Sequence, residues 1–152
     1  MVTQNMNQFE QSPIKGNIAA IVNPNTISVV IDPASALNSV APLYAGDMVA
    51  LSNAVGSAIM VDKAIANSTM FGVVIYTPKK DKFVAGDALE VAMAGSVVYM
   101  EAENAVARGE SLQYVPGTSV VKPWVNAVET AIGIALDKSA ASAGNLIRVL
   151  VA

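Results

Sequence analysis

The sequence predicts an all-β protein: a small β-barrel or sandwich of two pseudo-repeated halves, with an extended N-terminal arm and one or two short helical turns. Three observations carry the prediction. One pattern is written twice, over residues 45–94 and 108–152. Each Gly-acid or Gly-Asn turn in it is followed by residues that alternate with period two, as in Ala88-Leu89-Glu90-Val91-Ala92-Met93, where Leu89, Val91 and Met93 share a face. Short apolar runs are separated by turn signals about every 8–12 residues, the spacing of a sandwich or barrel.

The first copy opens with Ala45-Gly46-Asp47-Met48, reaches Phe71-Gly72-Val73-Val74-Ile75 and closes on Ala85-Gly86-Asp87-Ala88-Leu89. The second opens with Arg108-Gly109-Glu110-Ser111, reaches Ile132-Gly133-Ile134-Ala135-Leu136 and closes on Ala143-Gly144-Asn145-Leu146. Gly46 to Gly72 spans 26 positions and Gly109 to Gly133 spans 24; Gly72 to Gly86 spans 14 and Gly133 to Gly144 spans 11. Two copies are too few for a solenoid and suit a closed or nearly closed β body of two similar halves. Val73-Val74-Ile75 and Ile134-Ala135-Leu136 are apolar on both faces, which places those strands in a doubly covered position or at a subunit contact.

In chain order, residues 1–16 read as an arm, rich in amides and interrupted by Pro13 and Gly16, and residues 17–152 as one β domain. Strands are expected at Ile18–Val22 and Ile27–Ile31 around an Asn23-Pro24-Asn25 turn, with one helical turn at Pro33–Leu37 behind an Asp32 cap. The first copy supplies strands at Met48–Leu51, Ala58–Val61 and Met70–Tyr76, with a helical turn over Asp62–Asn67. Strand Val97–Met100 and a short helix or turn at Ala102–Ala107 connect the copies. The second copy supplies Leu112–Val115, Val120–Lys122, Trp124–Val128, Ala131–Leu136 and Leu146–Val151. Tyr76, Tyr99, Tyr114 and the single tryptophan, Trp124, are expected in the core.

Composition bounds the chemistry. A chain of 152 residues can bury a sizeable core. It has neither cysteine nor histidine, so disulfides, thiolate chemistry, imidazole bases and the commonest zinc ligands are excluded. With a net charge of −3 and only 14% charged residues there is no basic face for nucleic acid. The 53% apolar content and mean hydropathy of +0.48 are high, yet no apolar run approaches the ~18 residues of a membrane helix. Apolar excess with few charges points to surface covered by other chains, including further copies of this one. No membrane partner and no secretion signal are expected.

No cofactor or metal is expected. Asp47, Asp87 and Glu110 each sit beside Gly in a turn, where turn geometry accounts for them. Ser12-Pro13-Ile14-Lys15 has a Ser-x-x-Lys spacing, but Pro13 prevents the helix that would aim the lysine. Ala85–Ala94 resembles the hairpin of the biotinyl/lipoyl carrier barrel, with Ala94 where the modified lysine would stand, so nothing can be attached there.

Phe71-Gly72-Val73-Val74-Ile75-Tyr76, Phe83-Val84-Ala85-Gly86-Asp87, Val97–Ala102, Ala107-Arg108-Gly109-Glu110, Ile132–Asp137 and Gly144–Val149 together resemble the capsid cement, or head decoration, proteins of tailed bacteriophages. The resemblance runs from about Ala45 to Ala152. It implies a non-enzymatic virion protein, made in the host cytoplasm and added to the outer surface of the capsid. Its implied partners are the major capsid protein and itself, as a homotrimer at three-fold and quasi-three-fold positions. The arm supplies the candidate capsid-binding residues Gln8, Phe9, Gln11, Ile14 and Lys15: amides that bond backbone and apolar anchors beside them. The competing classes are another virion β protein, such as a tail or fibre-base component, and a carbohydrate-binding β module. The latter would need exposed aromatic residues from a chain with 5% aromatics.

Overall fold

The computed structural model describes residues 14–18, 25–36, 41–65, 69–116, 120–125, 131–139 and 145–152. Twelve strands run through them: β1 (Thr26–Ile31), β2 (Leu43–Tyr44), β3 (Met48–Leu51), β4 (Met60–Lys63), β5 (Met70–Val74), β6 (Lys82–Phe83), β7 (Ala88–Ala92), β8 (Val97–Ala102), β9 (Ser111–Val115), β10 (Val120–Pro123), β11 (Ala131–Ala135) and β12 (Asn145–Val151). The described residues contain no helix. The turn expected as helical after Asp32 is held instead by the Asp32 carboxylate, which accepts the Ala34 N–H, and by the Asp32 carbonyl, which accepts that of Ser35. Asp62 and Lys63 belong to β4, because β3 and β1 both recruit that segment into a sheet. Ala102 ends β8, and the residues after it form bends.

The strands close into two barrels of five, β1-β4-β3-β5-β7 and β10-β8-β12-β11-β9, with β2 and β6 as a separate two-stranded ribbon. The barrels are two copies of one design. In each, the first strand runs parallel to the third in sequence order (β1 with β4, β8 with β10). In each, the first strand also pairs antiparallel with the last, Thr26 opposite Ala92 and Val97 opposite Leu150. The register agrees residue by residue. Met48 faces Val73 and Val49 faces Gly72 in the first barrel; Ser111 faces Ile134 and Leu112 faces Gly133 in the second, and both pairs carry a bulge one step further on. The duplication therefore extends to β1 and β8, beyond the segments in which the repeat is visible in the sequence.

The repeated glycines have two separate reasons. Gly46, Gly86 and Gly109 take φ of 87°, 87° and 84° in turns closed by the N–H of the following acid to the carbonyl three residues back. That is the position of a type II turn that favours glycine. Gly72 and Gly133 lie at the bulges, where the neighbouring strand crowds in. A Cβ on Gly72 would stand 2.9 Å from the Ala92 carbonyl oxygen, and one on Gly133 would be driven into that of Leu150.

Both interiors are filled by side chains. Val29, Ile31, Val49, Val61, Val74, Leu89 and Val91 occupy the first, with Leu43 and Phe83 of the ribbon packed into the same cluster. Val98, Met100, Leu112, Tyr114, Val121, Ile147 and Val149 occupy the second. A five-stranded barrel leaves no room for more than its own residues.

Candidate interaction surfaces

The second cluster does not stop at its own barrel. Met48, Ala64, Val73 and Ala92 of the first barrel belong to it, with Ala50, Met70 and Ile75 packed alongside. Met48, Val73 and Ala92 are consecutive partners across β3, β5 and β7, and the Ala64 N–H joins the row at the Met48 carbonyl. These side chains point out of the first barrel and are nevertheless buried, because the row lies against the end of the second. Ile132 and Val151 come from that end, and with Met48, Phe71 and Gly72 they line a small opening of about 100 Å³ at the joint. Burying Met48 and Val73 there stabilises the pairing by roughly 1.5–3 kcal/mol each.

A strap spans the joint. The Gly16 N–H donates to the Tyr99 carbonyl of β8, and the Gly16 carbonyl accepts the N–H of Tyr76, just past β5. Asn17 accepts from the Tyr99 N–H, and Ile18 bridges to Val98. Gly16, at φ 78°, lies flat on the turn at Gly46, and the Lys15 stem covers Gly46 from above. The Lys15 ammonium is 3.7 Å from the Glu101 carboxylate. A second tie comes from Asn25, whose N–H donates to the Ser96 hydroxyl, which in turn donates to the Asn25 carbonyl.

The joint is not two-fold. The residues of the second barrel equivalent to Ala64, Met48, Val73 and Ala92 are Trp124, Ser111, Ile134 and Leu150; the Trp124 N–H donates to the Ser111 carbonyl as that of Ala64 does to Met48. Among the described residues this row faces outward, with Ser111 exposed, Trp124 39% and Ile134 40% exposed, Leu150 half-buried, and Val125 beside them at 61%. Trp124 is thus on the surface, where a core position was expected, whereas Tyr114 is fully buried. The other half of the joint has a counterpart as well. Val98, Ile132 and Val151 are buried at the covered end of the second barrel; their equivalents Ile27, Phe71 and Met93 are only partly buried at the matching end of the first.

Charged groups are few, and several carboxylates close turns. The carboxylates of Asp47, Asp87 and Glu110 accept the N–H of Tyr44, Val84 and Ala107 at 2.8 Å each, so each closes its own turn. Asp47 is fully buried. Lys80 lies 2.7 Å from Asp87 and over the Phe83 ring, and its ammonium, followed by the Val84 N–H, holds the Asp87 carboxyl below the usual range. Arg148 grips Asp137 through Nε at 2.9 Å and Nη2 at 2.7 Å and lowers it likewise. The Ser52 hydroxyl, then the Ala34 N–H, lower Asp32. Among the described residues no three His, Cys, Asp or Glu side chains gather as a metal site.

Of the candidate capsid-binding residues, Gln8, Phe9 and Gln11 lie outside the described residues. Ile14 is exposed, and Lys15 is occupied by the strap. Reading the sequence for a docking arm did not reveal the uncovered row on the second barrel. The signal that could have found it was Trp124 and Ile134, large apolar residues at repeat positions whose first-copy partners are Ala64 and Val73.

The molecule belongs to the class of tandem small-barrel β proteins, with solid interiors and features displayed on outer faces. Among solved structures it is similar to the head fiber gp8.5 N base of bacteriophage phi29, with a TM-score of 0.56 over 86% of this chain and 95% of that one, at 15% sequence identity. At that identity the likeness is one of fold. No protein-family model matches the chain, and no curated protein matches it.

Proposed function

We propose that this chain is a non-enzymatic structural protein of a tailed-phage virion that docks on the outer surface of the head and contacts major capsid subunits. The observation that carries the reading is the tandem-barrel fold shared along nearly the whole of the phi29 head fiber base. Solid barrel interiors and an uncovered apolar row are what a docking protein needs. Within this reading the chain acts as a cement, clamping several capsid subunits as a trimer, so that weak contacts multiply through effective concentration. A second reading, the base of a head fibre, is favoured by the structural neighbour, which is itself a head fiber base.

The test is to purify the virion, locate the protein by mass spectrometry and cryo-EM, and heat heads with and without it. Protein on the head whose removal lowers the temperature of head rupture supports the cement. Protein on the head with no effect on rupture supports the fibre base. Absence from the head overturns both. Removing residues 1–13, which leaves the strap intact, should lower occupancy at least ~10-fold, about 1.4 kcal/mol per site, if the arm docks.

A further inference from the structure

From the repeat of the barrels we infer a specific surface for self-association: the row Trp124, Ser111, Ile134 and Leu150 of one copy takes the end of the first barrel, at Ile27 and Met93, of a second copy. The proposal deepens the self-association within the proposed function and stands on different observations. Inside the chain, the equivalent row, Ala64, Met48, Val73 and Ala92, is already covered by the equivalent end, Val98, Ile132 and Val151. Each surface in that joint has a counterpart on the other barrel, built on the same strands in the same register. Both counterparts are largely apolar, Ser111 being the polar member of the row, and both remain at least partly open.

A head-to-tail joint of this kind uses two different patches, so it leaves one of each unsatisfied at the ends of any chain of barrels. Within one molecule the ends are the first barrel's tip and the second barrel's row. A second copy supplies the missing patch at each end, and the association continues until it closes on itself or is blocked. Neither patch carries a charged side chain, so the contact is apolar and its strength should change little with salt. The outward row carries tryptophan for alanine, isoleucine for valine and leucine for alanine, with serine in place of methionine, so its apolar bulk lies on either side of Ser111.

The chain lacks cysteine, which makes the joint directly testable by crosslinking the full-length protein. Ile134→Cys and Met93→Cys variants, oxidised separately and then as a mixture without capsids, should give a disulfide-linked pair only in the mixture. Linkage of Ile134→Cys to itself would indicate a two-fold contact and overturn the proposal. Sedimentation velocity from micromolar to hundreds of micromolar should show wild-type assembly and an association at least 10-fold weaker for Ile134→Glu, with an unchanged melting temperature. Trp124→Ala, a truncation at a part-exposed site, provides the same readout should Ile134→Glu fail to fold. Wild-type protein that stays monomeric throughout, or variants that assemble undiminished, would overturn the joint. The head-docking reading would still stand or fall separately, on occupancy of the virion.

Discussion

Replacing Gly16 with alanine should separate the strap's structural role from ordinary turn preference, provided Gly109→Ala is measured beside it. Both glycines have positive φ, 78° and 84°, so alanine pays the left-handed penalty of about 1–2 kcal/mol at either site. At either site alanine also narrows the unfolded ensemble, which offsets about 0.4–1 kcal/mol and cancels in the comparison. The difference lies in the space around each. A Cβ on Gly109 meets nothing within 4 Å, whereas one on Gly16 would lie 2.6 Å from the Gly46 nitrogen, 2.7 Å from the Ala45 Cβ and 2.8 Å from the Val74 carbonyl oxygen. Two of those are backbone atoms that cannot rotate away. Either the crowding remains, at about 1–3 kcal/mol, or the strap lifts and loses the bonds to Tyr99 and Tyr76, at about 1 kcal/mol each. Gly109→Ala should therefore lose no more than about 1–2 kcal/mol and Gly16→Ala about 2–4 kcal/mol. Urea unfolding at constant slope measures both, and the larger loss corresponds to a melting temperature lower by roughly 5–15 °C for a chain of this size. Equal losses at the two sites would refute the tight seating of the strap.

Three further expectations concern the same architecture. Met48→Ala, which empties the centre of the joint, should destabilise by about 2–5 kcal/mol in urea unfolding; a loss below about 1 kcal/mol would mean that the barrels are not packed as described. Asp47→Ala removes a buried turn acceptor and should lose about 1–3 kcal/mol by thermal melting, against less than about 1 kcal/mol for Glu110→Ala in the equivalent but more open turn. Asp32, Asp87 and Asp137 are more acidic folded than unfolded, so their contribution is complete above the usual carboxylate range and is lost as pH falls below about 4. All three are solvent-screened, so the loss is small for each. With no histidine or cysteine, melting temperatures recorded between about pH 6 and 9 should be nearly level.

The duplication was legible in the sequence because its turns need particular residues. Glycine must stand at Gly46, Gly86 and Gly109 for φ, and at Gly72 and Gly133 for close approach, so these positions mark the copies. The first strand of each copy was not recognised as such. β1 and β8 are not introduced by a Gly-acid turn, and β1 is separated from β3 by the ribbon strand β2, whereas β8 leads directly to β9. The helical reading of Asp62–Asn67 failed at Asp62 and Lys63 because local polarity says nothing about two flanking strands waiting to pair. Trp124 shows the limit of assigning apolar residues to the core: its position is decided by which of two equivalent rows the chain happens to cover, and that is settled by barrel on barrel, not by neighbours in sequence.

The strap has a consequence for how the molecule assembles itself. Each barrel closes only when its first strand meets its last, Thr26 with Ala92 and Val97 with Leu150, so neither can be completed by local hairpins alone. Closure across such separations carries the loop entropy that makes β topologies slow, on the order of milliseconds to seconds. During synthesis the first barrel is complete in sequence before β8 has been made, and its row at Met48 and Val73 stays wet until the second barrel forms. Gly16 needs Tyr76 from one barrel and Tyr99 from the other. A segment near the beginning of the chain thus makes its full set of bonds only once β8 has been made, and it acts as a latch between the two barrels.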